Sequence, residues 1–282
     1  MNYERQLRKV IEFIGQHLDD ELTLIQLSDI ACFSKYHFHR IFTSYTGLSL
    51  QQYIRWLRLK RAAHQLIVDK EKSIIEIAIN AGFESHESFT RAFKRSCGIN
   101  PSEFRAKSSW QAWEKPPYCL PKQGEITMNV MIKQIKARRL AVLEHRGDPK
   151  GVGESVNKLI HWAKTQPMNL KPKPGEAFGF AYDDPKTTPP ETFRFDLAIT
   201  VPENLKLEGD IVEKYLPEGR YAVAMHKGSR ENIGDTVYAL YRDWLPSVNE
   251  ELGDLPCIFA YYNFDHEVAE TELLTECWLL LK

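Results

Sequence analysis

No apolar run in this 282-residue chain approaches the ~20 residues that a membrane span requires. The opening Met1-Asn2-Tyr3-Glu4-Arg5 is too polar for a secretory leader, so the sequence points to a cytoplasmic protein. Cysteine is sparse: five residues, at 32, 97, 119, 257 and 277, odd in number and without CxxC spacing. That excludes a disulfide framework and a zinc ribbon, and it fits thiols kept as small apolar side chains in a reducing compartment. GxSxG, Walker and GxGxxG patterns are all missing, so neither a nucleophile elbow nor a nucleotide-phosphate loop is expected, and no cofactor. Net charge is also nearly absent, at -1.

The small net charge hides an asymmetry. Residues 1–107 carry 16 Lys and Arg against 12 Asp and Glu, and the remainder carries 21 against 26. A basic first part beside an acidic second part suits a nucleic-acid module joined to something else. Residues 108–125 separate the two. There Pro116, Pro117, Pro121 and Gly124 break every periodicity, which marks a linker. Trp110 and Trp113 within it are expected to dock on one of the neighbouring domains.

In the first part, residues 3–18 place Leu7, Val10, Ile11, Ile14 and Leu18 on one helical face. Thr23-Leu24-Ile25-Gln26 has capping-box spacing and opens a helix to about Ala31. Ser34 opens another, with Phe38, Ile41, Phe42 and Tyr45 as its apolar stripe. Its opposite face is expected to hold Lys35, Tyr36, His39 and Arg40, side chains of the kind that read base edges in a major groove. Two ordinary core helices with a solvated face would leave the same trace. A second copy favours a helix-turn-helix. Ser73-Ile74-Ile75-Glu76 is another capping box, and Ala31 and Phe33 recur as Ala81 and Phe83 at a shift of 50. Phe38, Arg40, Phe42 and Gly47 recur as Phe89, Arg91, Phe93 and Gly98 at a shift of 51. Between the copies, Ser49 caps a helix to about Val68. Its apolar side is expected at Leu50, Tyr53, Ile54, Leu57 and Leu66, with Arg55, Arg58, Lys60 and Arg61 in solvent or near phosphates. A stiff spacer could set two reading helices into successive major grooves, roughly 34 Å apart.

Leu22 to Arg105 resembles the DNA-binding domain of AraC/XylS transcription regulators. Its second unit and tail, Ile77-Ala78, Gly82-Phe83, Phe89, Phe93-Lys94, Gly98, Pro101 and Phe104-Arg105, carry that family's pattern. The Ser-Lys-aromatic-His start of the first reading helix is similar to the Rob-like, multidrug-responsive branch. The resemblance implies double-stranded DNA as a partner, with RNA polymerase as a second partner of an activator. It places the second reading set at His86, Glu87, Ser88, Thr90 and Arg91.

Residues 126–282 hold another duplication. Ala141, Val142, His145, Gly147, Gly153, Val156 and Leu159 recur 81 positions later as Ala222, Val223, His226, Gly228, Gly234, Val237 and Leu240. Each copy reads as strand, helix (151–165 and 231–245) and two strands (176–182 and 192–201; 256–263 and 272–281). The expected fold is therefore multidomain: an all-α domain (1–107) with two helix-turn-helix units, then an α+β domain (126–282) of two strand-helix-strand-strand repeats about a pseudo-two-fold axis. His145-Arg-Gly147, Tyr182-Asp-Asp-Pro185, Phe193-Arg-Phe-Asp196, Trp244-Leu-Pro246 and Tyr261-Tyr-Asn263 resemble the GyrI-like domain. That resemblance implies a hydrophobic small-molecule effector in a cleft between the repeats, with Tyr182, Phe259 and Tyr261 as lining. One departure stands out. Drug-binding members read Pro-x-x-Glu-x-Tyr, and their buried acid pairs with cationic ligands; here Phe259 takes that place. Hydrolase members use the same acid, so the change also weighs against catalysis. A GyrI-like hydrolase or a protein-interaction domain fused to a DNA reader remain the alternatives. Glu144 or Glu276 could supply an acid only if its strand turns it inward. Cys32, His37 and His39 diverge on a helix and lack a second ligand pair, so no metal is expected. His145 and His226 read as structural, and Asp183-Asp184 before Pro185 as a turn.

Overall fold

The computed structural model describes residues 3–107, 113, 128–166, 170, 172–264 and 267–282. They form two compact units, one helical and one built on a sheet. The helical unit runs α1 (Tyr3–Gln16), α2 (Leu24–Ala31), α3 (Lys35–Thr46), α4 (Leu50–Val68), α5 (Ile74–Asn80), α6 (His86–Cys97) and α7 (Pro101–Lys107). The caps explain these boundaries. Thr23, Ser49, Ser73 and Ser85 each accept from the backbone N–H three residues on, and Ser49–Gln52 and Ser73–Glu76 close the reciprocal box. Ser34 sits at its N-cap position with extended backbone but makes no side-chain cap bond. Both α3 and α6 end on a left-handed glycine, Gly47 (φ 71°) and Gly98 (φ 83°), whose N–H returns to Thr43 O and Lys94 O.

The helix between the two units is more than a spacer. Tyr53 meets Phe42 edge-on at 5.3 Å in the first core, while Leu59, Ala62, Ala63 and Leu66 enter a second core with Ile77, Phe89, Phe93 and Phe104. The expected stripe is therefore corrected: Leu57 is only half-buried, and the opposite face of α4, with Leu59, Ala62 and Ala63, is apolar as well, because one helix serves two cores. At 1.5 Å per residue its 19 residues span roughly 28 Å. Trp113 is fully buried in this unit, 6.4 Å from the Trp56 ring and 5.6 Å from Phe93. Trp110 lies outside the described residues.

The second unit is one eight-stranded antiparallel sheet: β1 (Val130–Ile135), β2 (Arg138–Arg146), β3 (Ala177–Ala181), β4 (Arg194–Thr200), β5 (Ile211–Leu216), β6 (Gly219–Lys227), β7 (Cys257–Tyr261) and β8 (Leu274–Leu280). Two helices follow β2 and β6: α8 (Val152–Thr165) and α9 (Ile233–Ala239), the latter widening into a π-helical turn over Leu240–Trp244. The strand order is β1-β6-β8-β7-β3-β4-β2-β5. Each repeat thus carries an extra leading strand, β1 or β5, beyond the expected strand-helix-strand-strand unit. These leading strands are exchanged: β1 pairs with β6 of the second repeat, and β5 with β2 of the first. The pseudo-two-fold axis passes between β3 and β7, where Gly179 faces Phe259.

Period-2 alternation divides the sheet into two faces. Val142, Phe178, Phe180, Ala198, Val223, Ile258, Ala260 and Trp278 form a hydrophobic cluster on one face. The other face carries the helices. His145 Nδ1 bonds Ser155 Oγ on α8 at 2.9 Å, and His226 Nδ1 bonds Thr236 Oγ1 on α9 at 2.8 Å. Each ring's Nε2 donates to a carbonyl, Asp148 O or Ser229 O. Both imidazoles therefore lock a strand to the helix that follows it. Among the described residues no helix is long and apolar enough to cross a membrane.

Candidate nucleic-acid interface and effector site

Helices α3 and α6, the two expected to read DNA, share a left-handed glycine C-cap but not exposure. On α3, Lys35 is exposed with its ammonium 5.1 Å from the Tyr36 ring centre, and Tyr36 and His39 are half-buried. Arg40, expected on this outer face, is only 4% exposed. The reason is the breadth of packing: α3 buries His37, Phe38, Arg40, Ile41, Phe42, Ser44, Tyr45 and Thr46, far more than one stripe. On α6 only Phe89, Ala92 and Phe93 are buried, and His86, Glu87 and Arg91 stand in solvent. Ser88 is half-buried and works for the cap, its N–H donating to Ser85 Oγ and its hydroxyl to Ser85 O. Thr90 is half-buried, and its hydroxyl oxygen has no hydrogen-bond partner among the described residues. Glu87 is folded back rather than extended. Its own backbone N–H, then the Ser85 hydroxyl, hold its carboxyl below the usual range.

The cations of α4 have internal work that residue patterning did not reveal. Arg61 makes a two-pronged pair with Asp19 (2.9 and 2.6 Å) and donates to Asn80 O at 3.1 Å, so it ties the α1–α2 loop to the end of α5. Arg58 Nε donates to Leu18 O at 2.9 Å, beyond the end of α1. Arg55 lies over the Phe83 ring, and Lys60 over Trp56. A hydrophobic pattern locates a helix face, but it is silent on which carbonyls a neighbouring loop leaves exposed.

In the sheet unit the three expected effector residues do not share a face. Phe259 and Tyr261 lie on the helix-bearing side, where Phe259 packs 6.2 Å from Phe195 and is 8% exposed. Gly179 makes room for them: a Cβ there would stand 2.6 Å from the Tyr261 hydroxyl and closer still to Phe195. Burial raises the Tyr261 phenol pKa. On the same face Thr275 is 1% exposed, with a hydroxyl oxygen that lacks a hydrogen-bond partner among the described residues. Tyr182 belongs to the opposite face. It packs on the Phe178–Phe180 cluster and donates to Asp196 Oδ2 at 2.8 Å. Period 2 places Tyr182 with Phe180, so the sequence held the signal for this correction.

That opposite face carries two buried carboxylates in equivalent places. Asp196, fully buried, takes Tyr182 Oη, Lys214 Nζ at 2.7 Å and Arg146 Nη1 at 2.8 Å. Glu276, 3% exposed, takes Lys133 Nζ at 2.6 Å and Trp278 Nε1 at 2.8 Å, and it also bonds the Tyr262 side chain. Glu276 is therefore turned inward, but away from Phe259, which opposes Cys277 on the helix side. Glu144 remains half-exposed between Lys214 and Arg146. Asp183 and Asp184 do make a turn, with added duties: Asp183 pairs with Arg194 at 2.8 Å, and Asp184 accepts from Tyr238 on α9.

Residues 128–282 match the GyrI-like small molecule binding domain, and residues 27–107 match a helix-turn-helix domain. The chain is 36% identical over 160 residues to the probable transcriptional regulator YgiV of Escherichia coli (strain K12), covering 55% of this chain and 98% of that protein. It is 35% identical over 123 residues to the right origin-binding protein of the same strain, covering 43% and 41%. Among solved structures, the C-terminal domain of EcmrR aligns at 18% identity over 55% of this chain and 98% of that one, with a TM-score of 0.44. The chain belongs to the GyrI-like small-molecule-binding family, as a transcription regulator whose GyrI-like domain follows an AraC-type helix-turn-helix domain.

Proposed function

We infer that this chain is a cytoplasmic activator of transcription that reads two adjacent major grooves with α3 and α6 and responds to a hydrophobic effector. Lys35, Tyr36 and His39 carry the first contact, His86 and Arg91 the second. Glu87, Ser88 and Thr90 have lesser parts, since Glu87 and Ser88 already serve the α6 cap. The observation that carries this reading is α4, a single helix shared by two cores, which holds two reading units at fixed spacing in one chain. Residues 108–125 are the linker, and 126–282 the sensor, with Phe195, Phe259 and Tyr261 as its aromatic floor. RNA polymerase is the partner that activation requires. Catalysis is disfavoured, because Phe259 replaces the acid and the buried carboxylates Asp196 and Glu276 are held by cations on the other face.

Selection of bound sequences from a random duplex pool tests the reading. Two blocks of base preference about one helical turn apart are expected, and Tyr36→Ala should erase one block while sparing the other. A single block, or no enrichment, would overturn the two-groove assignment.

A further inference from the structure

The helical unit contains a pocket that neither reading helix explains. It encloses about 420 Å³ between the first half of α4 and the turn into α6. Sites for small organic ligands span ~300–1,000 Å³. Ile54, Ala81 and the Phe83 ring make an apolar floor, and Arg55 lies over that ring with its guanidinium carbon 5.1 Å from the centre. Arg58 forms one wall, where Gly82 (φ +77°) brings backbone so close that a Cβ would meet Arg58 Nη1 at 3.0 Å. Gln51 and Gln52 add amides, and Glu84 is the one carboxylate in the lining. Two guanidiniums against one carboxylate leave the rim electropositive, above an aromatic face.

We propose that this pocket binds a small planar aromatic acid, with the arene on Phe83 and the carboxylate on Arg55. A guanidinium fork matches a carboxylate in two places at once, and it also stacks on flat rings. The acid touches Ser88 in the first turn of α6 as well as α4. It therefore couples to whatever α6 binds, and each ligand changes the other's affinity by the same factor. That coupling rests on α6 being a reading helix; the binding itself does not.

The test is calorimetric titration of the full chain with 1-naphthoate, its neutral amide and 1-naphthylmethylammonium. Naphthoate should bind at least tenfold tighter than the amide, and the ammonium should give no heat. Arg55→Gln should lose at least tenfold in naphthoate affinity, and Phe83→Leu should weaken acid and amide alike. Arg55 is exposed, so its variant folds even if Phe83→Leu does not. Equal affinity for acid and amide, unchanged binding in Arg55→Gln, or no heat from naphthoate each overturns the proposal. DNA selection on the same protein reports separately on the reading role of α6.

Discussion

Arg40 and Arg91 stand at the same position of the two reading helices, 51 residues apart, and the fold treats them in opposite ways. Arg40 is buried within the helical unit at 4% exposure, whereas Arg91 is open to solvent one turn from Glu87. The two should separate by experiment. Arg91→Ala is expected to leave the unfolding midpoint in place and cost ~1–3 kcal/mol of base discrimination. Arg40→Ala should instead lower stability by roughly 1–3 kcal/mol, since a buried Arg contributes packing as well as charge. Thermal unfolding and binding to the selected site, measured on both variants, check this. Lost discrimination in Arg40→Ala at unchanged stability would mean that the side chain leaves its buried place on DNA.

Lys133 and Lys214 are a second equivalent pair. Each sits on an exchanged edge strand and neutralises a buried carboxylate of the other repeat, Glu276 or Asp196. Burial works against the Lys214 ammonium, but hydrogen bonds to Asp196 and Glu144 outweigh it and hold its pKa above the ordinary value. Without the lysine, Asp196 would keep only Arg146 and Tyr182. Lys214→Met should therefore destabilise the sheet unit by ~1–3 kcal/mol, and Lys214→Met with Asp196→Leu should recover part of that loss. Hydrogen exchange should report faster opening of β5 first, because it is the strand released. Uniform loss of protection across the sheet would argue instead that the pair acts on the whole fold.

Much of this was legible as pattern. The caps at Ser49 and Ser73 fixed helix starts, and the shift of 81 from Ala141 to Ala222 exposed the second duplication. The leading strands were not. Val130-Met-Ile-Lys-Gln-Ile135 lies at a sheet edge, with Met131 and Ile132 about half-exposed, so it lacks the alternation that marks a half-buried strand. The exchange of β1 and β5 is a long-range fact that no local window contains. Arg40 illustrates the same limit, since a long cation reads as surface until the packing around it is known. Cys32 is subtler: it occupies a left-handed conformation (φ 55°) where the second unit has Gly82, and its side chain gives no local warning.

Acid should loosen the helical unit in a defined direction. Asp19 is held below its ordinary pKa, chiefly by its hydrogen bond from Arg61, and Glu76 chiefly by the backbone N–H of Ser73. A carboxyl whose folded pKa is depressed adds stability that is fully present above its unfolded pKa, about 4. That stability is lost as pH falls through the folded value. The midpoint should therefore be flat above pH ~5 and fall below about 4. In the Asp19→Asn, Glu76→Gln double variant the fall should be shallower, and the midpoint at neutral pH lower. Far-ultraviolet dichroism at a series of pH values measures both. An identical acid slope in the double variant would show that other carboxylates carry the effect.

Phe259 is expected to set the effector's charge. The aromatic floor of Phe195, Phe259 and Tyr261 lies on the helix-bearing face, and the buried carboxylates Asp196 and Glu276 lie on the other with their own lysines. A lipophilic cation buried on that floor would lack the carboxylate that Phe259 replaces, and an unpaired buried charge costs several kcal/mol. The ring of Phe259 could return only ~0.5–2 kcal/mol through its face. Neutral or anionic hydrophobic ligands are therefore expected to bind more tightly than cationic ones of matched size. The unpartnered Thr275 hydroxyl offers such a ligand a hydrogen bond. Calorimetry of the full chain with cationic, neutral and anionic amphiphiles sharing one hydrophobic body ranks them. Phe259→Glu should then reverse the order, raising cation affinity at least tenfold, or ~1.4 kcal/mol, while weakening the anion. A native preference for the cation, abolished by removing a single acidic side chain, would sink the argument and identify that acid as the replacement for the one Phe259 displaced.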